Sequence, residues 1–595
     1  MNYCDSPFSY RRRATREVMV GHVGVGGDNP IRVQSMITCD TMDTEASIAQ
    51  TIELAEVGCE IVRITAPTVK DARNLEHIAR GLRERGCNVP IVADIHFKPE
   101  AAMEAAKWVD KVRINPGNYA DSKKFKVIEY TDEQYAAELE RIRERFTPLV
   151  QLCLERGIAM RIGTNHGSLS DRIMNRYGDT PLGMVESALE FARIARELGY
   201  HALIFSMKSS NPKVMIAAYR LLVARLREEG DDWNYPIHLG VTEAGEGEDA
   251  RIKSAIGIGS LLSDGIGDTI RVSLTEDSVH EIPVARALVD SVAQSHSRTA
   301  SLPNEYKTPA WTYDPFAYQR RPSETIARAV PVGGEETVRV AIREQNWEKI
   351  AHKIERMGDF KPELVYERSD VKAIDPRNAA AVGEINSLTN AQLVTVREGI
   401  DLPVIAAFRL LAEKLEPRHP ILLKDRFEIS QNPEANFLHT LLSAATNIGS
   451  LLCDGIGDAI LVQGEHGPGQ ALRLSYNILQ AAGTRIFKTD YVACPSCGRT
   501  LFNLQTTTAR IKAATAHLKG VKIAIMGCIV NGPGEMADAD FGYVGGAPGK
   551  VNLYVGKTAV KFNIPEAEAV QRLQDLIREH GKWVEPAAQP EPAPA

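Results

Sequence analysis

Short runs of β-branched and other apolar residues alternate with longer amphipathic stretches between residues 31 and 273. The short runs predict eight strands, at 31–36, 60–65, 90–95, 110–115, 158–163, 202–207, 237–242 and 268–273. The clearest helical periodicity between them lies at 45–58, 69–86, 132–156, 180–198 and 212–229. Eight strand–helix repeats are typical of a parallel (β/α)8 barrel, although an open doubly wound sheet alternates in the same way. Because no Gly-x-Gly-x-x-Gly follows the first strand, we favour the barrel.

Polar residues stand at the carboxyl ends of these predicted strands, where a (β/α)8 barrel builds its active site. They are Arg63, Asp94, His96, Arg113, Asn115, Arg161, Asn165, Lys208, Glu243, Arg271 and Ser273. Five of them are cations that would meet at one mouth, where we place only two carboxylates, Asp94 and Glu243. Such an excess of buried positive charge predicts an anionic ligand with more than one phosphate. Asp94, His96 and Glu243 are candidates for proton transfer, and a purely structural role is equally open for each.

The chain contains an internal repeat. The segment IGSLLSDGIGDTIRV at 258–272 recurs as IGSLLCDGIGDAILV at 448–462, with twelve of fifteen positions identical. This indicates a duplication, and strand-like runs at 337–342, 363–367, 392–397, 402–408 and 420–425 predict a second barrel, complete or partial. The copy has uncharged Leu461 and Gln463 opposite Arg271 and Ser273, and the ungapped register places Pro433 opposite Glu243. A second active site is one interpretation, but these losses favour a structural domain.

These patterns divide the chain into five parts. We predict a catalytic barrel at 1–295, a linker at 296–324, an inserted barrel-like domain at 325–482, a small α/β domain at 483–582 and a disordered Pro/Ala-rich tail at 583–595.

Three of the nine cysteines are grouped near the C-terminus. Cys494 and Cys497 form a C-x-x-C pair, Cys528 follows a strand-like run at 521–526, and a turn at 531–534 would bring Glu535 back toward Cys528. By spacing alone, a [4Fe–4S] cluster with a fourth ligand that is not cysteine and a zinc site completed by His517 are equally open. A dithiol redox pair is less favoured, since no βαβ unit is evident around the C-x-x-C.

Composition and charge exclude some classes of protein function. The 595 residues carry a net charge of −7, which disfavours a general nucleic-acid-binding protein. The sequence has no apolar run of the ~18 residues that a membrane span needs and no hydrophobic signal core near residue 1, so we expect a cytoplasmic location. Two alternatives stay open: a barrel lyase or transferase for a phosphorylated metabolite with a structural zinc domain, and a binding module without enzymatic activity.

The C-terminal motifs ACPSCGRT and MGCIVNGPGE resemble the cluster domain of the 4-hydroxy-3-methylbut-2-enyl diphosphate synthase family, which belongs to isoprenoid biosynthesis through the methylerythritol phosphate pathway. The barrel resembles the same family through VRIT, VADIHF, VRINPGN, RIGTNHGSLS, MKSSN and VTEAG. The resemblance covers roughly residues 18–290 and 485–582, and the segment between them looks like the insert of a long, three-domain form.

The resemblance implies an enzyme that reductively opens and dehydroxylates 2-C-methyl-D-erythritol 2,4-cyclodiphosphate, with electrons from reduced ferredoxin or flavodoxin. By position, a [4Fe–4S] cluster would be held by Cys494, Cys497, Cys528 and Glu535. The diphosphate would be bound by Arg63, Arg113, Arg161, Lys208, Arg271 and Ser273. Asp94, His96, Asn115 and Asn165 would line the substrate site, and Glu243 would donate a proton.

In the two-domain form of this family, the cluster domain closes over the barrel of a partner subunit. We hypothesise that the insert of this chain takes the place of the partner's barrel, so that the cluster domain reaches the barrel mouth of its own chain. A homodimer remains compatible with the sequence.

Overall fold

The computed structural model describes residues 1–120, 129–297, 313–428, 436–529, 532–536 and 538–586. A hairpin of strands β1 (Val18–Val20) and β2 (Val23–Val25) precedes a parallel barrel. Val18, Val20 and Val25 of this hairpin pack against barrel residues that include Ile61 and Val92. The hairpin therefore fills the apolar end of the barrel, away from the predicted mouth.

The barrel has the eight predicted strands. They are β3 (Arg32–Met36), β4 (Ile61–Thr65), β5 (Ile91–Asp94), β6 (Lys111–Ile114), β7 (Ala159–Asn165), β8 (Leu203–Lys208), β9 (His238–Leu239) and β10 (Thr269–Ile270). Neighbours pair in parallel in the order β8-β7-β6-β5-β4-β3-β10-β9, and a bridge between Phe205 and Ile237 closes the ring. The prediction of a barrel instead of an open sheet is confirmed.

Helices surround the barrel on its outside. They are α1 (Thr44–Glu56), α2 (Val69–Glu84), α3 (Pro99–Ala105), α4 (Pro116–Tyr119), α5 (Asp132–Arg156), α6 (Asp171–Tyr177), α7 (Pro181–Glu197), α8 (Pro212–Glu229), α9 (Gly247–Ser263) and α10 (Glu281–Ser297). Local sequence sets their ends: Thr131 and Gln134 form a capping box at the start of α5, and Gly157 ends it with φ 65°. Helices α5 and α8 have the predicted bounds.

The insert contains a second parallel sheet. Its strands are β11 (Arg339–Ile342), β12 (Leu364–Val365), β13 (Lys372–Ile374), β14 (Val394–Val396), β15 (Leu422–Lys424) and β16 (Ala459–Leu461). The pairing order is β12-β11-β16-β15, and a bridge between Val394 and Ile421 adds β14 and β13. Among the described residues no pairing joins β12 to β13, so this sheet stays open.

Helices cover one side of this second sheet: α11 (Glu344–Ile350), α12 (Ala379–Ser387), α13 (Val404–Lys414), α14 (Phe437–Cys453) and α15 (Pro468–Ala481). The predicted strand at 402–408 is wrong, because most of this run belongs to α13. An apolar run that is buried on nearly every side fits a strand or a helix equally well. Pro403 stands directly before the first turn of α13, where proline is compatible with a helix.

Matching hydrogen bonds relate the insert to the barrel. Asp268 accepts from Ile237 N (2.8 Å) and Thr15 Oγ1 (3.0 Å). Asp458, 190 positions later, accepts from Ile421 N (2.9 Å) and Ser323 Oγ (2.9 Å). The duplication therefore extends beyond the recognisable repeat to strands whose sequences have diverged.

The two copies pack on each other around equivalent residues. Ser260 and Ser450, which occupy the same position of the repeat, hydrogen-bond to each other at 2.6 Å between α9 and α14. Next to them lie four buried charged side chains that pair across the interface: Arg220 with Asp264 (2.8 Å) and Asp454 (2.7 Å), and Arg409 with both aspartates (2.8 Å each). The arrangement has the symmetry of an isologous dimer interface, here formed within one chain.

The described part of the segment predicted as a linker packs against the insert. Residues 298–312 lie outside the described residues, but Arg321 is buried and donates hydrogen bonds to the carbonyl oxygens of Leu415, Glu416, Pro417 and His419. Residues 313–324 therefore pack with the insert and do not connect it loosely.

The C-terminal part is a smaller sheet of order β17-β18-β19-β20-β21. Its elements are β17 (Asp490–Ala493), α16 (Leu504–Thr515), β18 (Lys522–Met526), α17 (Gly532–Glu535), β19 (Phe541–Ala547), β20 (Lys550–Val555), β21 (Thr558–Pro565) and α18 (Glu566–Glu579). Of the predicted tail, residues 587–595 lie outside the described residues, whereas the Trp583 ring packs against His517. No described helix has the length and apolar character of a membrane span.

Candidate active site between the barrel and the C-terminal domain

A cavity lies between the barrel mouth and the C-terminal domain of the same chain. Fourteen predicted site residues line it: Arg63, Asp94, His96, Arg113, Arg161, Asn165, Lys208, Glu243, Arg271, Ser273, Cys494, Cys497, Cys528 and Glu535. Asn115 is the exception, since it does not line the cavity and its Oδ1 accepts from Gly117 N (3.2 Å) at the start of α4. Groups that are far apart in sequence therefore share one site.

Two direct contacts position the C-terminal domain on the mouth. Ala244, just after β9, forms a parallel bridge with Ala493, at the end of β17, so Glu243 and Cys494 are adjacent to the junction. At the end of β7, two strands away from β9 in the ring, Asn165 donates a side-chain hydrogen bond to Glu535. These contacts hold the C-terminal domain against the part of the mouth formed by β7 to β9.

The cations at the mouth differ in whether the protein neutralises them. Arg113 binds Asp94 at 2.8 Å, and Arg63 lies 3.6 Å from the same carboxylate. Although burial alone would raise the pKa of Asp94, Arg113 and Arg63 hold it well below its usual value, so this carboxylate stays ionised. Arg161 and Lys208 are buried, and their side chains have no hydrogen bond or ion pair with any described residue.

These two unpaired cations are the strongest electrostatic feature of the site. Burial lowers the pKa of Arg161 and of Lys208, and the other mouth cations, Arg63 foremost, lower both further. A buried charge without a partner is costly. An anion in the cavity would remove this cost, as the sequence-based prediction of an anionic ligand requires.

Arg271 has a partner that the sequence did not indicate. Glu281 accepts two hydrogen bonds from its guanidinium, both at 2.9 Å. Glu281 is the first residue of α10, beyond the strand ends that were searched for polar residues. Arg271 is thus fixed in orientation, with Nη1 also 2.8 Å from the sulfur of Met36.

His96 is neutral in this environment. Its Nε2 lies 2.8 Å from Nη1 of Arg113, and because a guanidinium can only donate, Nε2 must accept. Burial, together with the charges of Arg499 and Arg113, lowers the pKa of His96 to about 3. The ring therefore has a proton on Nδ1 and none available on the nitrogen that faces Arg113.

Glu243 has the opposite electrostatic environment from Asp94. Burial raises the pKa of Glu243 well above its usual value, and the neighbouring carboxylate of Glu535 raises it further. Its backbone has φ 48°, an uncommon conformation for a residue other than glycine. Of the three proton-transfer candidates, Glu243 is the one whose raised pKa favours the protonated form.

The three C-terminal cysteines face the cavity around residues that sequence analysis did not single out: Pro495, Ser496, Arg499, Thr500, Met526 and Gly527. Gly527 N donates to Cys494 Sγ at 3.2 Å, the kind of contact that orients metal-binding thiolates. Arg499 brings a positive charge close to Cys497 and Cys528. Thiolate ligands would be stabilised by both contacts.

The donor set fits an iron–sulfur cluster. Three thiols and the Glu535 carboxylate face one space, and a cluster needs them spread over several iron atoms, not gathered around one. The His517 of the zinc alternative packs against Trp583.

One sequence-based argument about the cysteines is wrong. A βαβ unit was not evident around the C-x-x-C, yet β17, α16 and the parallel strand β18 form one, with Cys494 directly after β17. The connection between β17 and α16 is ten residues, Cys494–Asn503, which hides the pattern. The presence of Cys528 in the same cavity is a firmer distinction from a simple dithiol pair.

The corresponding mouth of the insert lacks these features. The matched hydrogen bonds make Ile237 equivalent to Ile421, so Glu243, six residues later, corresponds to Phe427 and not to Pro433. In the same way Glu60 is equivalent to Glu363, so Arg63 corresponds to Tyr366. The cations that are present are neutralised internally, as Lys424 binds Glu398 at 2.8 Å. The insert therefore has no unpaired cationic cluster like that of the barrel among its described residues.

Fold and site together define a barrel protein whose cationic mouth is closed by a cysteine-bearing C-terminal domain. Residues 15–286 match the family model described as the GcpE TIM-barrel domain, and residues 490–579 match the GcpE protein C-terminal domain. The chain belongs to the GcpE family.

Relatives match almost the whole chain. A protein of Akkermansia muciniphila is 60% identical over 98% of this chain and 99% of its own length. One of Protochlamydia amoebophila is 47% identical over 98% of each chain. Both are named 4-hydroxy-3-methylbut-2-en-1-yl diphosphate synthase (flavodoxin). A chloroplastic protein of Oryza sativa subsp. japonica, 42% identical over 98% of this chain and 89% of its own, is named as the ferredoxin form.

Proposed function

We propose that this protein is a 4-hydroxy-3-methylbut-2-enyl diphosphate synthase. It opens the ring of 2-C-methyl-D-erythritol 2,4-cyclodiphosphate and removes one hydroxyl group, consuming two electrons and two protons and releasing water. The single observation that carries the proposal is the shared cavity, in which an anion-binding barrel mouth faces three cysteines. The names of the relatives favour this reaction over a lyase with a structural zinc domain.

A [4Fe–4S] cluster is the proposed cofactor, held by Cys494, Cys497, Cys528 and Glu535. When bound, it would supply low-potential electrons one at a time and a Lewis-acidic iron atom. A carboxylate ligand such as Glu535 is more readily exchanged than a thiolate. The hydrogen bond from Asn165 holds this carboxylate at the edge of the barrel mouth.

The mouth cations bind the diphosphate in this proposal. Arg161 and Lys208, which have no hydrogen bond or ion pair with the described residues, make the main new ion pairs, while Arg63 and Arg113 contribute guanidinium nitrogens that do not face Asp94. Arg271, fixed by Glu281, and Ser273 complete the site. Binding of the diphosphate therefore neutralises buried positive charge that destabilises the ligand-free protein.

Glu243 is the proposed proton donor. Burial and the neighbouring Glu535 raise the pKa of its carboxyl, which favours the protonated form, and the bridge between Ala244 and Ala493 holds it at the junction with the cysteines. Asp94 is unsuited to this role because Arg113 and Arg63 keep it ionised. Asp94 and His96 instead orient Arg113 and contact the substrate.

We also propose that the reaction takes place within one chain. The insert packs on the barrel through equivalent residues, as a second subunit would in an isologous dimer, and this leaves the C-terminal domain over its own barrel. Reduced flavodoxin or ferredoxin is the expected electron donor, in keeping with the names of the relatives. A cytoplasmic location and a homodimer remain predictions.

The proposal is tested with protein purified without oxygen. We expect about four iron and four sulfide per chain, and formation of the allylic diphosphate from the cyclic diphosphate with reduced flavodoxin, detected by mass spectrometry. Stoichiometric zinc without iron would contradict it. Cys528→Ser should lose iron and activity, whereas Cys453→Ser should keep both, because Ser263 stands at the equivalent position of the first repeat.

A further inference from the structure

Lys111 is a completely buried amine inside the barrel. It is the first residue of β6, and Arg113 lies two residues further on, so both side chains point to the interior. The relative exposure of Lys111 is 0%, and its Nζ has no hydrogen-bond partner among the described residues. It does not line the cavity at the mouth, and the proposed reaction does not use it.

The surroundings of this amine mostly disfavour a positive charge. The residues paired with Lys111 on the adjacent strands are Val92 and Ala159, both apolar. The charged side chains that act on it most strongly are two cations, Arg161 on β7 and Arg63 on β4, and Asp110 acts more weakly in the opposite direction.

The remaining polar neighbours compensate only in part. His238 on β9 is neutral, since burial keeps its pKa well below the usual value. Asp110, just before β6, accepts a hydrogen bond from Ile91 N (2.8 Å) and lies 3.7 Å from Arg83 on the outside of the barrel. An ammonium at Lys111 would therefore meet both desolvation and repulsion.

We propose that Lys111 is the uncharged member of the cationic cluster in the ligand-free protein, and that it takes up a proton when a diphosphate binds at the mouth. The inference rests on the proposed function, which supplies the diphosphate. Burial first, and then the charges of Arg161 and Arg63, lower the pKa of Lys111 far below its ordinary value. A bound diphosphate neutralises those two arginines and adds negative charge next to them. It therefore reverses the electrostatic repulsion that lowers the pKa of Lys111 in the ligand-free protein.

Lys111 would then be a positioning residue that acts through Arg161 and Arg63 without touching the substrate. Its role is to limit the repulsion within the empty cluster and to add a positive charge only when the anion is present. Each proton taken up on binding makes the affinity fall about tenfold per pH unit, as long as the free amine stays unprotonated.

The test is calorimetry of the anaerobic holoenzyme between pH 7 and 9, with inorganic diphosphate and with the cyclic diphosphate, in buffers of different ionisation enthalpy. We expect Lys111→Met to bind with close to one proton fewer taken up than the wild type. Its affinity should accordingly fall about tenfold less per pH unit. Titration of the ligand itself and of Lys208 is common to both proteins and cancels in the comparison.

Two variants complete the design. Lys111→Gln serves if Lys111→Met does not fold, and Lys519→Met, which changes a half-exposed lysine far from the barrel interior, should keep the wild-type proton uptake. Equal proton uptake by the wild type and Lys111→Met overturns the role of Lys111 alone. A wild-type holoenzyme that binds neither ligand overturns the proposed function as well. If Lys111 had a purely structural role, Lys111→Met would change the affinity by the same factor at every pH. The dependence of the affinity on pH would then equal that of the wild type.

Discussion

Gly167 of the barrel and Gly534 of the C-terminal domain touch backbone to backbone: a Cβ on Gly167 would overlap the carbonyl oxygen of Gly534. Gly167→Ala should therefore keep the C-terminal domain from closing on the mouth. We expect activity to fall by at least tenfold while diphosphate still binds to the barrel. Steady-state kinetics and direct binding measurements separate the two effects.

Gly157→Ala is the matched control for this substitution. Gly157 also has a positive φ (65°, against 75° for Gly167), so an alanine is strained at both positions by about 1 kcal/mol. A Cβ on Gly157 meets no atom within 4 Å. Equal loss of activity in the two variants would show that backbone strain, not domain closure, is responsible.

Glu243→Gln should reduce turnover by about 10²–10⁴-fold with little change in diphosphate binding, since it removes a proton donor but not a cation. The protonated form of Glu243 is the active one, and its pKa is raised by burial and by Glu535. Turnover of the wild type should therefore be sustained at neutral pH and fall as pH rises through that raised value. Turnover of Glu243→Gln equal to the wild type would contradict the assignment.

Arg161→Met and Arg271→Met should have different effects on stability. Both remove a diphosphate contact of about 1.5–3 kcal/mol, so affinity should fall roughly 10- to 100-fold in each. Arg161 has no partner in the part of the chain that the structure describes, and its loss should leave the protein as stable as before or more so. Loss of Arg271 leaves the buried Glu281 carboxylate without its ion-pair partner, with only Ser35 and the backbone N–H of Leu274 among the described residues still donating to it, and should lower the free energy of unfolding by about 3–5 kcal/mol. Thermal unfolding of the two variants without ligand measures this difference. Equal stabilities of Arg161→Met and Arg271→Met would contradict the distinction between the two arginines.

Asp454→Asn should weaken the packing of the insert on the barrel. Asp454 is buried and binds Arg220 and Arg409. Its replacement removes one of the two carboxylates that neutralise these guanidinium groups, at a cost of about 3–5 kcal/mol. The first transition in denaturant unfolding reports this cost. Asp359→Asn, which removes an exposed pair with Lys519, should shift that transition by less than about 1 kcal/mol.

Much of this architecture could be predicted from sequence because it depends on local patterns. Alternation of apolar strands and amphipathic helices predicts all eight barrel strands, and their polar ends predict where Arg161 and Lys208 meet. The run at 402–408 could not be assigned, because a stretch buried all round has no periodicity that distinguishes α13 from a strand.

Other features depend on contacts between distant segments and have no local signal. Glu281 reaches Arg271 from the start of α10, and Asn165 meets Glu535 across a domain boundary. The correspondence of Glu243 with Phe427 became visible only through equivalent hydrogen bonds, since the loops of the two copies differ in length. A local sequence pattern also does not show which charged side chains form ion pairs. The sequence therefore could not show that the cations at the mouth of the insert, such as Lys424, are neutralised by neighbouring carboxylates.

Complementation between two inactive chains tests whether one chain brings its own cysteines to its own barrel. Arg161→Met chains lack a competent barrel mouth, and Cys528→Ser chains lack a competent C-terminal site. Differently tagged copies are co-expressed, purified through both tags and through each tag alone, and assayed for conversion of the cyclic diphosphate. We predict that activity never exceeds the sum of the two separate variants. Recovery of a substantial fraction of wild-type activity would contradict catalysis within a single chain.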